Sequence, residues 1–506
     1  MVNAIKDNEG TQRLARIPYL LTLMALIHHK NAKLPHGRTE LYGRIAAAYL
    51  ESIDFRRALN QLPYSLEQKK RWLAEVAYRM QLRRTSDSKS EQGQREILAS
   101  AEEVHEWLAK AMSESGAENA EREAATLLDY FARRSGLLLP RGEGQFAFMH
   151  LSLQEYFAAC YLEPRLTASR FSPVQKNVEP TDEELHAWAN NSNWVETFIL
   201  LFELLAAKPP QESESLLEHL FGGRFENDED TLQSTAVQLL AEISIDHYVT
   251  ISAEARKRMR QRCWRWVFAI PPWSEFNKRF LFDSEFRQRN ITMLGFRYTP
   301  AVRTLLLEYG GDLTKAWRAA GISAAELKNN VRTLNLSECI NLIDLKPLTM
   351  LSNLRDLDIT GCTSVTDLEP LAEITNLQAL SLSNRAYIGY LDPLSRLNNL
   401  MVLGINNFDE ADHADDEVDL SPLRELRNLV ELHLHGFSGV DLTLLSDLPK
   451  LKIVCAGRAE KVVVPPKLRR QLLKDNPFNQ NLIIKSERYT KQSRKGKAAK
   501  PRKRKS

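Results

Sequence analysis

The chain has 506 residues, 43% of them hydrophobic, which is more than one hydrophobic core usually serves, so we expect three or more structural units. No apolar, uncharged run is as long as the about 18 residues that a membrane span needs. Charged residues occur within the first 30 residues, where a secretory signal needs an apolar core. These features argue against export and membrane insertion and predict a cytoplasmic protein. The formal net charge of +3 conceals a strongly basic C-terminus.

Two motifs in the first third of the chain carry the most information. The first reads IPYLLTLMAL at 17–26 and places Pro18 at the start of a leucine-rich helix. The second reads FAFMHLSLQEYFAA at 146–159 and passes from a short apolar strand to a helix through His150. Just before it, Gly142 and Gly144 stand where two short strands would meet, which predicts a hairpin turn.

The order of these motifs resembles that of NACHT-type signal-transduction ATPases over roughly residues 10–205. The resemblance implies a partial NACHT-associated helical domain at 1–60 and a winged-helix domain at 61–168. It also implies that Pro18 lines an adenine pocket and that His150 reaches the nucleotide phosphates. On the residues alone, a lone histidine at the start of a helix more often has a structural role, as a cap or a packing group.

The sequence lacks G-x-x-x-x-G-K-[ST], the loop whose backbone amides and lysine hold nucleotide phosphates. We therefore expect no enzymatic activity from this chain, and binding of ATP or ADP only when a nucleotide-binding core is supplied. Such a core would be encoded upstream, would belong to a separate chain, or has been lost.

The cysteines are predicted to be free thiols in a reducing compartment, because no C-x-x-C pair and no histidine at zinc-finger spacing accompanies them. No metal site is expected. The cysteines are Cys160, Cys263, Cys339, Cys362 and Cys455.

Residues 169–325 are expected to form a helical linker domain. Apolar residues recur at helical spacing at 193–205, 231–245 and 301–308. A basic run at 256–262 precedes two tryptophans, which favours a helix with a basic outer face and buried tryptophans over a nucleic-acid site.

Residues 326–470 repeat themselves at intervals of 23 residues and later of 29 and about 22. Leucine fills one column of the repeat, and an asparagine ends four of the units. The two columns are Leu334, Leu357, Leu380, Leu403 and Leu432, and Asn353, Asn376, Asn399 and Asn428. This is the leucine-rich-repeat pattern, in which each unit forms a short strand and a return segment and buries its apolar face only against its neighbours. We expect about five units stacked in a curved α/β solenoid.

Side chains that flank the strand leucines alternate with them and are expected to line the concave face of the solenoid. We predict that this face binds a protein partner; a plain solvated face explains the same residues. The predicted partner-binding residues are Asn335, Asp356, Asp358, Ser381, Asn406, Glu431, His433 and His435.

Two charged segments complete the chain. The acidic run at 409–417 is expected to be a solvated loop, because it lacks the glycine and the terminal bidentate glutamate of a calcium-binding loop. Residues 471–506 are expected to form a disordered basic tail, since 485–506 alone carries eleven Lys or Arg and one Glu. Non-specific nucleic-acid binding through 485–506 and a role in solubility are both consistent with that charge.

The expected architecture is a mainly α N-terminal two-thirds, comprising helical domain, winged helix and helical linker, followed by α/β leucine-rich repeats and a disordered tail. The resemblance implies the regulatory and sensing part of a NACHT-type NTPase, in which ligand recognition by the repeats controls a nucleotide-dependent switch and oligomerisation. For bacterial relatives it implies innate immunity against phage. Two alternatives stay open, namely an autonomous leucine-rich-repeat scaffold and a nucleic-acid-associated protein that acts through its tail.

Overall fold

The structure is a computed structural model of the chain. It describes residues 21, 24–25, 37–57, 63–86, 98–142, 144–166, 180–221, 234–268, 300–383, 390–406, 419–457, 459, 461–474 and 476–498. Most of these residues are helical, and a parallel sheet occupies the C-terminal third. The chain divides into two compact units, Met1–Arg256 and Lys257–Ser506. Among the helices of the described ranges, none combines the length and the apolar character needed to cross a bilayer.

From residue 37 onward, the described part of the first unit contains α-helices and a small antiparallel sheet. These elements are α1 (Arg38–Arg57), α2 (Leu66–Ser86), β1 (Ala99–Ser100), α3 (Ala101–Glu114), α4 (Ala120–Asp129), β2 (Leu138–Pro140), β3 (Gln145–Phe148) and α5 (Leu151–Leu162). The strands pair in the order β1–β3–β2. The predicted hairpin turn is confirmed, because Gly142 and Gly144 link β2 to β3 with φ angles of 86° and 73°, a region that favours glycine.

Local sequence also sets where α3 begins. The Ser100 side chain accepts a hydrogen bond from the backbone N–H of Glu103, and the Glu103 carboxylate accepts one from the Ser100 N–H at 2.8 Å. This reciprocal capping box satisfies two N–H groups that the first turn leaves unpaired.

Four further α-helices lie in the described part of the first unit. They are α6 (Asp182–Ala189), α7 (Val195–Leu205), α8 (Pro210–Phe221) and α9 (Ser234–Ile245). The helix predicted at 193–205 is therefore confirmed, and α7 is buried along most of its length, packed against α5 and α9. Just before it, the rings of Trp188 and Trp194 stack with centroids 4.2 Å apart, which fixes the approach of α6 to α7.

One arginine joins three of these helices. The Arg38 guanidinium, at the start of α1, donates to Glu203 Oε1 at 2.6 Å, to Glu196 Oε1 at 3.0 Å and to Asp246 Oδ2 at 3.0 Å. Burial by itself lowers the pKa of Arg38, but the three carboxylates raise it above its usual value, so the group stays charged. The network ties α1 to α7 and to the end of α9.

The second unit contains helices at both ends of a parallel sheet. Among the described residues before the sheet, the helices are α10 (Ala253–Phe268), which starts in the first unit, α11 (Pro300–Glu308), α12 (Leu313–Ala319) and α13 (Ala324–Asn330). The prediction of a basic helix with buried tryptophans is confirmed for Trp264 of α10, whereas Trp266 is only partly buried. Its basic residues have structural partners, since Arg260 pairs with Glu308 and Arg265 pairs with Glu326, both at 2.8 Å.

Six parallel strands form the sheet of this unit, and two short strands pair beside it. The strands are β4 (Thr333–Asn335), β5 (Asp356–Thr360), β6 (Ala379–Ser383), β7 (Val402–Asn406), β8 (Glu431–His435), β9 (Gly439–Asp441), β10 (Ile453–Ala456) and β11 (Lys461–Val463). The large sheet has the order β10–β8–β7–β6–β5–β4, and β9 pairs with β11. Each return from one strand of the large sheet to the next contains a short 3₁₀ segment.

The repeat in the sequence places equivalent residues side by side on neighbouring strands of this sheet. The five leucines of the predicted column are partners across neighbouring strands, and Val454 continues the row into β10. All of them are buried. A 23-residue period therefore brings equivalent residues into register on adjacent parallel strands, which buries one apolar row continuously.

The repeated asparagines join each return segment to the one before it. Asn376 Nδ2 donates to the carbonyl of Ser352 at 2.7 Å, and Asn399 Nδ2 donates to that of Thr375 at 2.9 Å. Asn428 makes the equivalent bond to the Asn398 carbonyl, whereas Asn353, in the first repeat, donates to the carbonyls of Lys328 and Asn329 in α13. These amides satisfy turn carbonyls that no backbone N–H reaches, which explains why the sequence keeps one residue type at this position.

The prediction of a disordered tail at 471–506 is wrong for most of its length. Helices α14 (Pro466–Gln471) and α15 (Pro477–Ala498) follow the sheet, and α15 packs on β10 and β11. Leu472, Asn479 and Leu482 are buried there. The lysine and arginine count concealed these apolar contacts, which lie in the first half of the segment. Residues 499–506 and the acidic run at 409–417 lie outside the described residues.

We expect Arg38→Ala to lower the unfolding free energy of the first unit by about 3–5 kcal/mol, because it leaves three carboxylates without their shared cation. Arg44→Ala is the matched control on the same helix, since its pair with Glu40 is exposed and should contribute at most about 0.5 kcal/mol. Urea unfolding followed by circular dichroism measures both variants. Equal losses for the two would contradict the structural role given to Arg38.

We expect Asn479→Ala to destabilise the C-terminal edge of the sheet by about 1–3 kcal/mol. Asn479 Oδ1 accepts from the Val454 N–H at 2.9 Å, and its Nδ2 donates to the carbonyls of Lys452 and Leu473. The amide proton of Val454 should therefore exchange faster with solvent in the variant. Gln480→Ala, at an exposed position of the same helix, should leave that exchange unchanged; no difference between the two variants would refute the capping role.

Candidate functional site

His150 is the helix cap of α5. Its backbone is extended, with φ −150° and ψ 140°, and its Nδ1 accepts a hydrogen bond from the Ser152 N–H at 3.2 Å. Burial lowers the pKa of His150, which favours the neutral ring. Because Nδ1 is the acceptor, the proton of the neutral ring resides on Nε2. His150 thus has the structural role of a helix cap, one of the roles that the residues alone suggested. Its Nε2 is a hydrogen-bond donor of the kind that a phosphate oxygen accepts.

Pro18, the second predicted nucleotide residue, lies outside the described residues. The structure therefore shows the contacts of His150 but not where Pro18 lies relative to it. The nucleotide roles of both residues stay predictions.

A buried polar network lies directly behind His150 on α5. Gln154 Nε2 donates to Gln81 Oε1 at 3.0 Å, and Gln81 Nε2 donates to the Asn193 carbonyl at 2.6 Å. Beside it, Glu155 is buried 3.4 Å from the Arg84 guanidinium. Burial, with a contribution from Glu196, raises the pKa of Glu155 to about 7, although Arg84 opposes the shift. The sequence gives no local signal for this network, because its partners are 71 to 112 residues apart.

A groove of about 740 Å³ lies between α2, α3 and α5. Charges of both signs line it, including Lys70, Arg71 and Arg165 as well as Glu67 and Glu75. His150 does not line this groove.

The polar face of the large sheet consists of the side chains that alternate with the buried leucine row. Five of the predicted partner-binding residues on this face are only 1–8% exposed, so their binding role stays a prediction: Asn335, Asp356, Asp358, Ser381 and Glu431. His433 and His435 are partly exposed, and Asn406 lies in β7 with its side chain outside the described set.

Short side chains on closely spaced strands explain this burial. Asn335 Oδ1 accepts from the N–H and the hydroxyl of Ser337, and Asp358 Oδ1 accepts from the Thr360 N–H at 2.9 Å. These side chains turn back onto their own strands, and strands about 4.8 Å apart shield one another. Burial raises the pKa of Asp358 to about 6, opposed by the hydrogen bonds from Thr360.

The C-terminal end of the polar face differs in chemistry from the rest. His433 Nε2 lies 3.1 Å from Glu431 Oε2, and Cys455 is the register partner of His433 on β10. Burial alone lowers the pKa of His433, but hydrogen bonds with Cys455 and Glu431 raise it to about 9. The His435 ring stacks on that of His433 with centroids 6.4 Å apart, and Phe478 of α15 meets His433 edge-on.

Ligand atoms of His433, His435 and Cys455 all lie within 4.8 Å of one another. No metal site was predicted here, because Cys455 lies one repeat away from His433 and His435 and short-range metal-ligand spacings do not connect them. The available signal was the H-x-H pattern on one strand together with a cysteine in the same column of the next repeat.

Part of the first unit matches a known family. Residues 38–162 match a family model described as the winged helix-turn-helix domain C-terminal to NACHT. The matched range starts with α1 and ends with α5, so it contains the three-stranded sheet and His150. The chain thus carries a region similar to a NACHT-linked regulatory domain.

Two solved structures are similar to parts of the chain. The internalin inlF from Listeria monocytogenes strain 4b F2365 is 23% identical, with 30% of this chain and 46% of that chain covered and a TM-score of 0.25. Internalin C2 from the same strain is 28% identical, with 28% and 59% covered and a TM-score of 0.23. The chain therefore spans about half the length of these proteins. No curated protein matches it.

We expect the pH dependence of stability to report on Glu155. The pKa of Glu155 is about 7 in the folded protein and 4.5 for an ordinary glutamate, as in the unfolded chain. Between these pH values the folded protein therefore holds a proton that the unfolded chain releases. This contribution is complete below about pH 4.5 and is lost as the pH rises through about 7. Burial also raises the pKa of Glu203 to about 7, so Glu155→Gln should reduce but not remove the slope of unfolding free energy against pH in that window. Glu183→Gln, at an exposed position, should leave the slope unchanged. Identical slopes in wild type and Glu155→Gln would refute this assignment.

Proposed function

We propose that this chain is the regulatory and sensing part of a NACHT-type signalling NTPase. The observation that carries the proposal is the match of residues 38–162 to the winged helix that follows NACHT, together with His150 at the start of α5. Under this proposal the winged helix docks on a nucleotide-binding core and senses whether ATP or ADP is bound. Nucleotide is held only when that core is supplied, and the chain itself has no ATPase activity.

The chemistry of His150 supports such a role. A ring whose Nδ1 is fixed by the Ser152 N–H presents an N–H donor from Nε2. A donor at the start of a helix is also favourably placed for an anion, because the helix N-terminus carries partial positive charge. The hydrogen bond to Ser152 fixes the ring and reduces the ordering cost when a phosphate is bound.

We further propose that residues 326–470 form a leucine-rich-repeat solenoid that recognises a protein partner. Support comes from the in-register leucine row and from the asparagine bonds between successive return segments. Since most polar-face residues of β4 to β6 are buried, the partner would contact the exposed edges of the repeats and the histidine end of the face. Partner binding would release the winged helix and permit oligomerisation, in the cytoplasm, with anti-phage defence as the process.

The test measures ADP and ATP affinity of the full chain, alone and mixed with the product of the sequence encoded directly upstream. We expect no binding by the chain alone and saturable binding in the mixture. His150→Asn and His150→Ala should each weaken ADP binding by about 10-fold or more, the value of one hydrogen bond to a charged group.

The asparagine variant separates the two roles of this residue. Asparagine is a good helix cap, so His150→Asn should keep the stability of α5, whereas His150→Ala should lose about 1 kcal/mol. Weakened nucleotide binding in both variants supports a ligand role. Weakened binding only in His150→Ala would reduce His150 to a cap, and binding by the chain alone would contradict the proposal.

A further inference from the structure

The geometry points to a metal site that the proposed function does not include. We propose that His433, His435 and Cys455 bind one Zn²⁺ at the C-terminal end of the polar face, with Glu431 orienting His433. The site is independent of nucleotide binding and lies entirely within the second unit.

Strand register brings the three ligands together. His433 and His435 are two places apart on β8, so their side chains share the polar face. Cys455 occupies the same column as His433 on the adjacent strand β10. Donor atoms around a tetrahedral zinc lie about 3.3–3.8 Å apart, given bonds of about 2.0–2.3 Å. Atoms already within 4.8 Å therefore need only side-chain rotations to reach that geometry.

The donor set selects the class of metal. Two imidazoles and a thiolate suit Zn²⁺ and related transition metals, whereas Ca²⁺ and Mg²⁺ require oxygen ligands. Three protein ligands leave a fourth position for water, and the His433 side chain is 14% exposed, so solvent reaches the site.

Glu431 supplies the independent support. Its Oε2 lies 3.1 Å from His433 Nε2, which leaves Nδ1 as the metal-binding nitrogen. A carboxylate on the far nitrogen of a histidine is the usual arrangement around protein-bound zinc, because it fixes the ring and increases its basicity. The other oxygen, Oε1, is buried without a hydrogen-bond partner among the described residues, and the residue is 1% exposed.

Binding would join β8 to β10 at the end of the sheet. The same place is covered by α15, whose Phe478 contacts His433 and whose Lys485 Nζ donates to the carbonyls of Ala456 and Gly457. The metal would therefore hold the last strand and its covering helix in place, a task that terminal repeats require because they lack a neighbour on one side.

The experiment titrates the full, metal-free chain with Co²⁺ as a spectroscopic probe and then displaces it with Zn²⁺. We expect one equivalent of Co²⁺ with a thiolate charge-transfer band and tetrahedral d–d bands. Cys455→Ser should abolish the charge-transfer band, and His433→Ala or His435→Ala should weaken binding more than 100-fold. Glu431→Gln, which acts through His433, should weaken it about 10–100-fold while keeping the band.

Cys362→Ser is the matched control, because Cys362 is an equally buried thiol of another repeat and should leave the band and the affinity unchanged. A measurement without any variant guards against misfolding: Zn²⁺ should slow alkylation of Cys455 in the wild-type chain. Absence of saturable binding, or a Co²⁺ spectrum and affinity unaffected by Cys455→Ser, would overturn the proposal. Rapid alkylation of Cys455 that Zn²⁺ does not slow would identify an activated thiol instead and would also overturn it.

Discussion

In-register stacking of short parallel strands is the constraint on which the second unit depends. A strand of three to five residues with a short 3₁₀ return cannot bury its leucines alone, so each leucine row is buried only because the next strand repeats it. The same register that stacks Leu357 on Leu380 also stacks every polar residue on its counterpart. The asparagine bonds, the buried polar face and the His–Cys cluster are all consequences of that one register.

Stacking leaves two end strands, β4 and β10, and a helix packs on β10. The helix α13 leads into β4, and α15 covers β10 with a buried asparagine that satisfies the strand's N–H and C=O groups. This explains why residues with a strongly basic composition form a helix here. The charge count over 485–506 carries no information about packing, whereas Phe478, Asn479 and Leu482 contact the rest of the second unit and determine where the helix packs.

Features with a local or periodic signal could be predicted from the sequence, and features set by distant neighbours could not. The leucine and asparagine columns, the glycine hairpin and the helix after His150 depend on residues close in sequence or on a fixed period. The Arg38 network joins residues up to 208 apart, and the burial of Asp358 depends on strands on either side. Predicting that His433 and Cys455 are neighbours requires the repeat alignment to be applied also to the side chains on the face opposite the leucine row.

The central claim is that the winged helix reads nucleotide on a core through the start of α5. Hydrogen exchange of residues 150–162 tests it most directly, measured on the full chain with the upstream core, with and without ADP. The account predicts slower exchange at the first turn of α5 when ADP and core are both present, because His150 and its helix become part of the nucleotide site. Unchanged exchange there, with ADP demonstrably bound to the core, would contradict it.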